Sequence, residues 1–479
     1  MKKKTALSIC LIIATLTLGA QTHLTLEGCR DLALQGNKQA QIDKENLAAA
    51  QDLRKAALAR YFPKVSANGA YVWSQNNLYL ISDEARLPFG TMNPDGSFSF
   101  NENIIQTYFP DLDKRLSDWF AQEYKKLYED SELDFEHVFV GEVGVTQPIF
   151  TGGRITQLYK IAKAGEEIAG IQQSEHNEEL IVKTDEAYWR VVSVSAKYQL
   201  ADRFCHMLQK VKDDLEAAVA EGTSTQSELL QISVKLNEAE ISRMKAENGL
   251  RLSKMALCQL CGLPLDTDIL LDDSHLEDVV LDIPTTDTEA IISRRHEVQM
   301  LAQASKMAQA GVRLTASQLM PTIVANANYI TTNPNLYNGY QNTFGGSFHA
   351  GVAVNIPIAH ADDILAVKAA KHKARTIALQ EENAREMLAL QICQTTQQLE
   401  EANRKLSAAG SAIKHAEENL KLAEAGFEEG MITSTELLGA QTAWLKAYSE
   451  KIDAAIDVRL YEVYLLKNTG TLAYNSTTH

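Results

Sequence analysis

Four short stretches of this chain alternate apolar and polar positions with a period of two, the pattern of a β-strand whose faces meet different surroundings. In the first, Val65, Ala67, Gly69, Tyr71 and Trp73 share one side, with Ser66, Asn68 and Ser74 on the other. The second sets Phe139, Gly141, Val143 and Val145 against Glu142, Gly144 and Thr146. The third sets Ile323, Ala325, Ala327 and Tyr329 against Thr322, Asn326 and Asn328; the fourth sets Phe348, Ala350, Val352, Val354 and Ile356 against His349, Gly351 and Asn355. Strands are therefore predicted near 64–74, 137–147, 322–331 and 347–356. Each is about ten residues long, which suits a tilted strand crossing an outer membrane.

Elsewhere the pattern is that of long helices. Leu24 to Arg60, Ile155 to Ala220, Ser227 to Cys261, Thr288 to Gln318, Ile364 to Phe427 and Thr435 to Asn468 are rich in Ala, Glu, Gln, Lys and Leu, with Gly and Pro rare. Ile155 to Ala220 alone predicts about 100 Å of helix at roughly 1.5 Å per residue, too long for a globular domain and suited to a coiled-coil tube. Leu229, Ile232, Leu236, Ala239 and Met244 form an apolar stripe that predicts a packed face. The stretch 75–136 reads as a long outer loop. Within it, Asp111 to Glu129, with Leu112, Leu116, Trp119, Phe120, Tyr124 and Leu127, predicts an amphipathic helix. A cap on a barrel mouth is its first reading, and a binding element facing outside the cell its second.

The chain says the same thing twice. Glu221-Gly222-Thr223-Ser224-Thr225-Gln226-Ser227-Glu228-Leu229-Leu230 returns 208 positions later as Glu429-Gly430-Met431-Ile432-Thr433-Ser434-Thr435-Glu436-Leu437-Leu438. Pro63, Ala67, Asn68 and Tyr71 return as Pro321, Ala325, Asn326 and Tyr329. A repeat of this length is a duplicated domain, with a first copy over 21–283 and a second over 284–479. Each copy reads helix, strand, loop, strand, very long helix, tight turn, helix. The turns, 221–226 and 429–434, combine a Gly suited to a left-handed helix end with hydroxyl N-caps and a following Glu for the positive end of the returning helix. They predict the tips of helical hairpins.

Met1-Lys2-Lys3-Lys4, an apolar run from Ala6 to Leu18 and then Gly19-Ala20 make residues 1–20 a secretory signal peptide, with cleavage expected near Ala20. Losing it removes three lysines and no acid, moving the formal charge from −16 to −19, which argues against nucleic-acid partners. No later segment reaches the length of a transmembrane helix. Five cysteines follow the leader, an odd count scattered through helical sequence and not a disulfide framework. Cys258-x-x-Cys261 lacks the βαβ context of a redox motif and reads as core. The histidines have no ligand-spaced partners, no nucleophile–base constellation or phosphate loop is present, and neither an enzyme nor a cofactor or metal site is expected.

Four strands cannot close a barrel. In lipid every backbone hydrogen bond must be satisfied and no edge left open, so at least two chains are required, and three give twelve strands.

These features together resemble the TolC-like outer-membrane efflux proteins. The resemblance is carried by the duplicated order, by Tyr61-Phe62-Pro63-x-Val65 and Leu319-Met320-Pro321 leading into strands, and by Gln147-Pro148-Ile149-Phe150-Thr151-Gly152-Gly153-Arg154. Gly430-x-x-x-Ser434-x-Glu436-Leu437-Leu438-x-Ala440-Gln441 carries it further. It covers essentially the whole mature chain. It implies a homotrimer with a twelve-stranded barrel in outer-membrane lipid, continued by an α-helical barrel through the periplasm. Its tips would dock on a periplasmic adaptor (membrane fusion) protein that links it to an inner-membrane pump of the resistance-nodulation-division or ABC class, the duct itself being passive. The adaptor contact maps to Gly222, Thr223, Ser224, Gly430, Met431 and Ile432. Glu436 falls where relatives carry an acidic residue ringing the periplasmic entrance. The chain departs from that pattern at Gly439, where a second acid is expected, and at Phe427, which lacks the hydroxyl that a Tyr could use to latch onto Glu228. Glu436, Glu228 and Phe427 are thus the candidate periplasmic gate. The alternatives are a periplasmic coiled-coil scaffold or adaptor without a pore, and a receptor or adhesin using 75–136.

Overall fold

The computed structural model describes residues 22–75, 78–83, 85–101, 107–271, 288–337, 339–358 and 361–472. The expected leader and the expected repeat boundary at 283/284 lie outside the described residues. In chain order the elements are β1 (Thr22–Leu24), α1 (Leu26–Gly36), α2 (Lys38–Ala59), β2 (Lys64–Trp73), β3 (Leu78–Tyr79), β4 (Ala85–Leu87), β5 (Gly90–Met92) and β6 (Phe98–Phe100). Then come α3 (Pro110–Asp130), β7 (Glu132–Leu133), β8 (His137–Thr151), α4 (Arg154–Ala220), α5 (Gln226–Cys261) and β9 (Ile269–Leu271). The chain continues as α6 (Thr288–Arg294), α7 (His296–Ala316), β10 (Thr322–Asn333), β11 (Gly345–Asn355), α8 (Ala361–Glu428) and α9 (Ser434–Asn468). By their contacts these fall into two compact units: one of residues 1–55, 158–312 and 368–479, the other of 56–157 and 313–367.

The first unit is helical. α4 and α8, at 67 and 68 residues, match the long helices predicted. Two expected helices are interrupted. Leu24 to Arg60 breaks at Asn37, whose side chain accepts from the Gln39 N–H at 2.8 Å and donates to the Leu260 carbonyl at 3.1 Å. Asn here takes over the bonding of a helix end. Thr288 to Gln318 breaks at buried Arg295, which bonds the Lys467 carbonyl at the end of α9 and Glu297 at 2.6 Å. The α5 stripe is right for Ile232, Leu236 and Ala239, which are buried, and wrong for Met244, which is 61% exposed. Twelve residues from Ile232 is a third of a turn off that face at 3.6 residues per turn. Met244 instead joins Leu230, Val234, Ile241 and Leu252 in a second, exposed apolar stripe.

One core cluster gathers Leu24, Cys29, Tyr188, Trp189, Leu257, Ile269 and Ile456 under α1 and the parallel pair β1–β9. Beside it, Asp185 is fully buried and bidentate to Arg30 at 2.7 and 2.5 Å. Burial pushes the Asp185 carboxyl up, and the Arg30 guanidinium opposes the shift. Such a pair fixes α1 on α4 more than it stabilises, because desolvation offsets much of its attraction.

The second unit is built on an antiparallel sheet in the order β11–β10–β8–β2. All four predicted strands are present; β8 runs on past 147 to Thr151. Register places Tyr71 beside Phe139, Ala67 beside Val143, Val143 beside Tyr329 and Tyr329 beside Phe348 on one face. On the other face Asn68, Glu142, Ile330 and Ser347 form one row, and Ser66, Gly144, Asn328 and His349 the next. Within 75–136 the predicted amphipathic helix is α3. It is accompanied by small sheets that sequence periodicity did not predict, β3–β7 and β4–β5–β6. Phe98 and Met92 are buried there, and the rings of Phe89 and Phe98 lie 5.3 and 5.2 Å from Phe120.

Candidate hairpin tips and channel wall

Both predicted tips are formed by the residues named for them. At the first, Gly222 has φ 75° and lets the chain leave α4. The Thr223 and Ser224 N–H groups turn back to the Ala218 carbonyl at 2.9 and 3.3 Å. Thr225 then caps α5: its hydroxyl accepts from the Glu228 N–H at 3.3 Å, and the Glu228 carboxylate accepts from the Thr225 N–H at 3.3 Å. The Ser224 hydroxyl adds a 2.5 Å bond to the same carboxylate. At the second tip Gly430 has φ 69°, and Met431 and Ile432 donate to the Gly426 carbonyl at 2.7 and 3.3 Å. Thr433 caps α9, its N–H and hydroxyl donating to the Glu436 carboxylate at 2.8 and 3.0 Å. Reciprocal bonds of this kind satisfy the donors that every helix start leaves over.

The hydrogen bonds from Ser224 and the Thr225 N–H hold the Glu228 carboxyl below the usual carboxylate range, and those from the Thr433 N–H and hydroxyl do the same for Glu436. Both carboxylates are thus occupied with their own helix starts. Phe427 packs into the apolar cluster behind the tips, which joins Leu200, Val211, Leu215 and Ile232 of the first hairpin to Leu420, Leu437, Ala440 and Trp444 of the second. Lys210 on α4 pairs with Glu428 at the end of α8 at 3.3 Å. The gate candidates are therefore capping and packing residues of one bundle end, and Ser224, read as an adaptor contact, also holds Glu228. Met431 is a large apolar side chain left 74% exposed.

In the sheet unit the alternation separates two chemistries. Val65, Tyr71, Val143, Phe348 and Val352 on one face are all more than half exposed. Water would leave that apolar surface uncovered, while hydrocarbon would cover it. The opposite face carries the polar side chains of Asn68, Glu142, Asn328 and His349. Among the described residues, the sheet edges β2 and β11 each have one neighbour. Among the described residues no helix is long and apolar enough to cross a membrane.

The sheet and the paired long-helix hairpins form a fold shared with outer-membrane channels of known structure. A family model described as "Outer membrane efflux protein" matches residues 288–471. Among curated proteins none matches. Several solved structures share the fold, among them three channels. CusC, described as forming a transmembrane channel, has TM-score 0.72 at 15% identity, covering 95% of each chain. The CmeC outer membrane channel of Campylobacter jejuni has TM-score 0.72 at 14% identity, covering 95% of this chain and 87% of its own. The open-state MtrE outer membrane channel of Neisseria gonorrhoeae has TM-score 0.71 at 15% identity, covering 95% and 91%. The resemblance to TolC-like outer-membrane efflux proteins therefore holds: residues 288–471 match the family's sequence pattern, and the chain shares the fold of these channel structures.

Proposed function

We propose that the protein is the outer-membrane duct of a tripartite efflux or export system, acting as a homotrimer. The observation that carries this reading is the four-stranded sheet with an exposed apolar face and two unpaired edges. Unpaired edge groups in hydrocarbon cost several kcal/mol each, by order of magnitude, so the sheet must be completed by other copies. Three copies give twelve strands, with Glu142 and His349 toward the lumen. The exposed stripe of Leu230, Val234, Ile241, Met244 and Leu252 is the face on which the helical hairpins of neighbouring copies would pack into a periplasmic tube.

The duct is passive in this reading. An inner-membrane pump of the resistance-nodulation-division or ABC class supplies the energy, and a periplasmic adaptor grips Gly222, Thr223, Ser224, Gly430, Met431 and Ile432. The export signal at 1–20 brings the chain to the periplasm. Detergent-extracted protein should run as an SDS-resistant trimer on unheated gels and conduct ions in planar bilayers; a folded, water-soluble monomer would overturn the proposal.

Glu436 is tested separately as an entrance charge. Because its carboxylate also caps α9, Glu436→Gln is the useful change, since the amide oxygen can still accept from Thr433 while the charge is gone. Cation selectivity should fall in the reconstituted duct, and unchanged selectivity removes Glu436 from the gate.

A further inference from the structure

Cys29 meets Cys258 and Cys261, far from it in sequence, in the core under α1. Cys29 and Cys258 are fully buried and Cys261 is 2% exposed. The Cys261 thiol donates to the Cys29 carbonyl at 3.6 Å across a sequence separation of 232 residues. α1 and α5 come to backbone distance at the C-terminal end of α1, about two turns beyond Cys29. A Cβ placed on Gly36 would lie 2.9 Å from the Cys261 carbonyl oxygen, and Asn37 donates to the Leu260 carbonyl at 3.1 Å. Cys258, one turn earlier on α5, is turned elsewhere, its thiol donating to the Thr267 carbonyl at 3.8 Å. Cys205 lies in a separate cluster, and Cys393 is exposed.

We propose that Cys29 and Cys261 form a disulfide in the exported protein, stapling the first helix of the mature chain to the end of α5. This rests on the placement outside the cytoplasm proposed above, where thiols meet oxidising carriers. In the docked core the two thiols interact: the contact with Cys261, with burial, pushes the Cys29 thiol up, and the contact with Cys29 draws Cys261 down. The oxidant is a disulfide-bearing thiol oxidoreductase or glutathione disulfide. The Cys261 thiolate attacks one of its sulfurs, forming a mixed disulfide and releasing the first thiol. The Cys29 thiolate then attacks the Cys261 sulfur and releases the second. Two electrons and two protons pass from the protein to the carrier. Because both sulfurs are buried, exchange occurs before α1 docks. Once formed, the bond is shielded from reductants in the native state.

The test counts thiols in the outer-membrane chain, trapped with N-ethylmaleimide as it is denatured and read by intact mass. The chain beyond residue 20 has five cysteines. Three adducts are expected without reductant, and five when a reductant is added in denaturant. Native treatment with the same reductant should still leave three. Cys258→Ser should retain the pair and show two adducts, whereas Cys29→Ser should show four. Five adducts in the unreduced wild type, or loss of two thiols that persists in Cys29→Ser, would overturn the proposal. If the chain is instead recovered from the cytoplasm with its leader attached, its placement fails, and refolding it with glutathione disulfide still decides the pairing. Loss of two thiols, abolished by Cys29→Ser but not by Cys258→Ser, supports the pair; no loss overturns it.

Discussion

The two hairpin tips perform the same reversal with the same backbone chemistry and present different surfaces. Each has a left-handed Gly, a Thr cap and a Glu three residues on. The first tip shows Thr223 and Ser224, both polar. The second shows exposed Met431, and Ile432 folded back on Gly426, where an added Cβ would meet its Cγ2 at 3.4 Å. The means of holding the Glu also differs: Ser224 supplies a hydroxyl at the first tip, and the Thr433 cap supplies its own at the second. What is common to the tips is what a helix reversal demands. What differs is free to meet a partner.

The largest change that would test this is at the glycines. Gly222→Val and Gly430→Val force a β-branched residue into the left-handed region, at about 1–2 kcal/mol each. Neither site has an atom within 4 Å of an added Cβ, so the cost is backbone strain alone and should be equal at both tips. Hydrogen exchange of the tip amides measures it, and unequal losses would break the equivalence.

Caps come next. Thr433→Ala should lower local stability by about 1 kcal/mol, because it removes both the cap and the hydroxyl that holds Glu436. Thr225→Ala should cost less, since Ser224 still binds Glu228. The same exchange measurement checks the order, and an equal or reversed one contradicts the hydroxyl assignment.

Both Glu carboxyls sit below the ordinary value of 4.5 in the folded protein. A depressed folded value means that their contribution is fully present above that pH and is lost as pH falls through the depressed value. Tip protection should therefore weaken below about pH 4.5 in the wild type and less so in Glu228→Gln with Glu436→Gln. An acid response unchanged by the double substitution would show that other groups carry it. The smallest effect on stability is at the surface. Met431→Ser should shift it by no more than about 0.5 kcal/mol, yet reduce retention of the adaptor in crosslinking. Undiminished crosslinking would remove Met431 from the docking surface.

Much of this was legible because the signals were long or repeated. Strands of ten or more residues, helices of more than sixty and a ten-residue turn written twice leave clear periods. Strands β3 to β7, of two or three residues, are too short to carry one. The break at Asn37 was within reach, since Gly36-Asn37 is a helix-stopping pair. The break at Arg295 was not, because it rests on a carbonyl 172 residues away. The tip residues could be named from sequence. That Glu228 and Glu436 spend their oxygens on their own helix starts was signalled by Thr-x-x-Glu, the capping-box spacing.

The sheet order has a consequence for how a ring could arise. Inside the chain the repeats are joined through β8 and β10, the trailing strand of one against the leading strand of the next. The unpaired edges are β11 and β2, once more a trailing strand and a leading one. Every intermolecular seam would thus copy a contact that the polypeptide already makes with itself, where the covalent tether spares it the entropy of encounter. In the proposed ring, duplication would halve the number of joints that must form by collision, and one pairing geometry would serve both inside and between the copies.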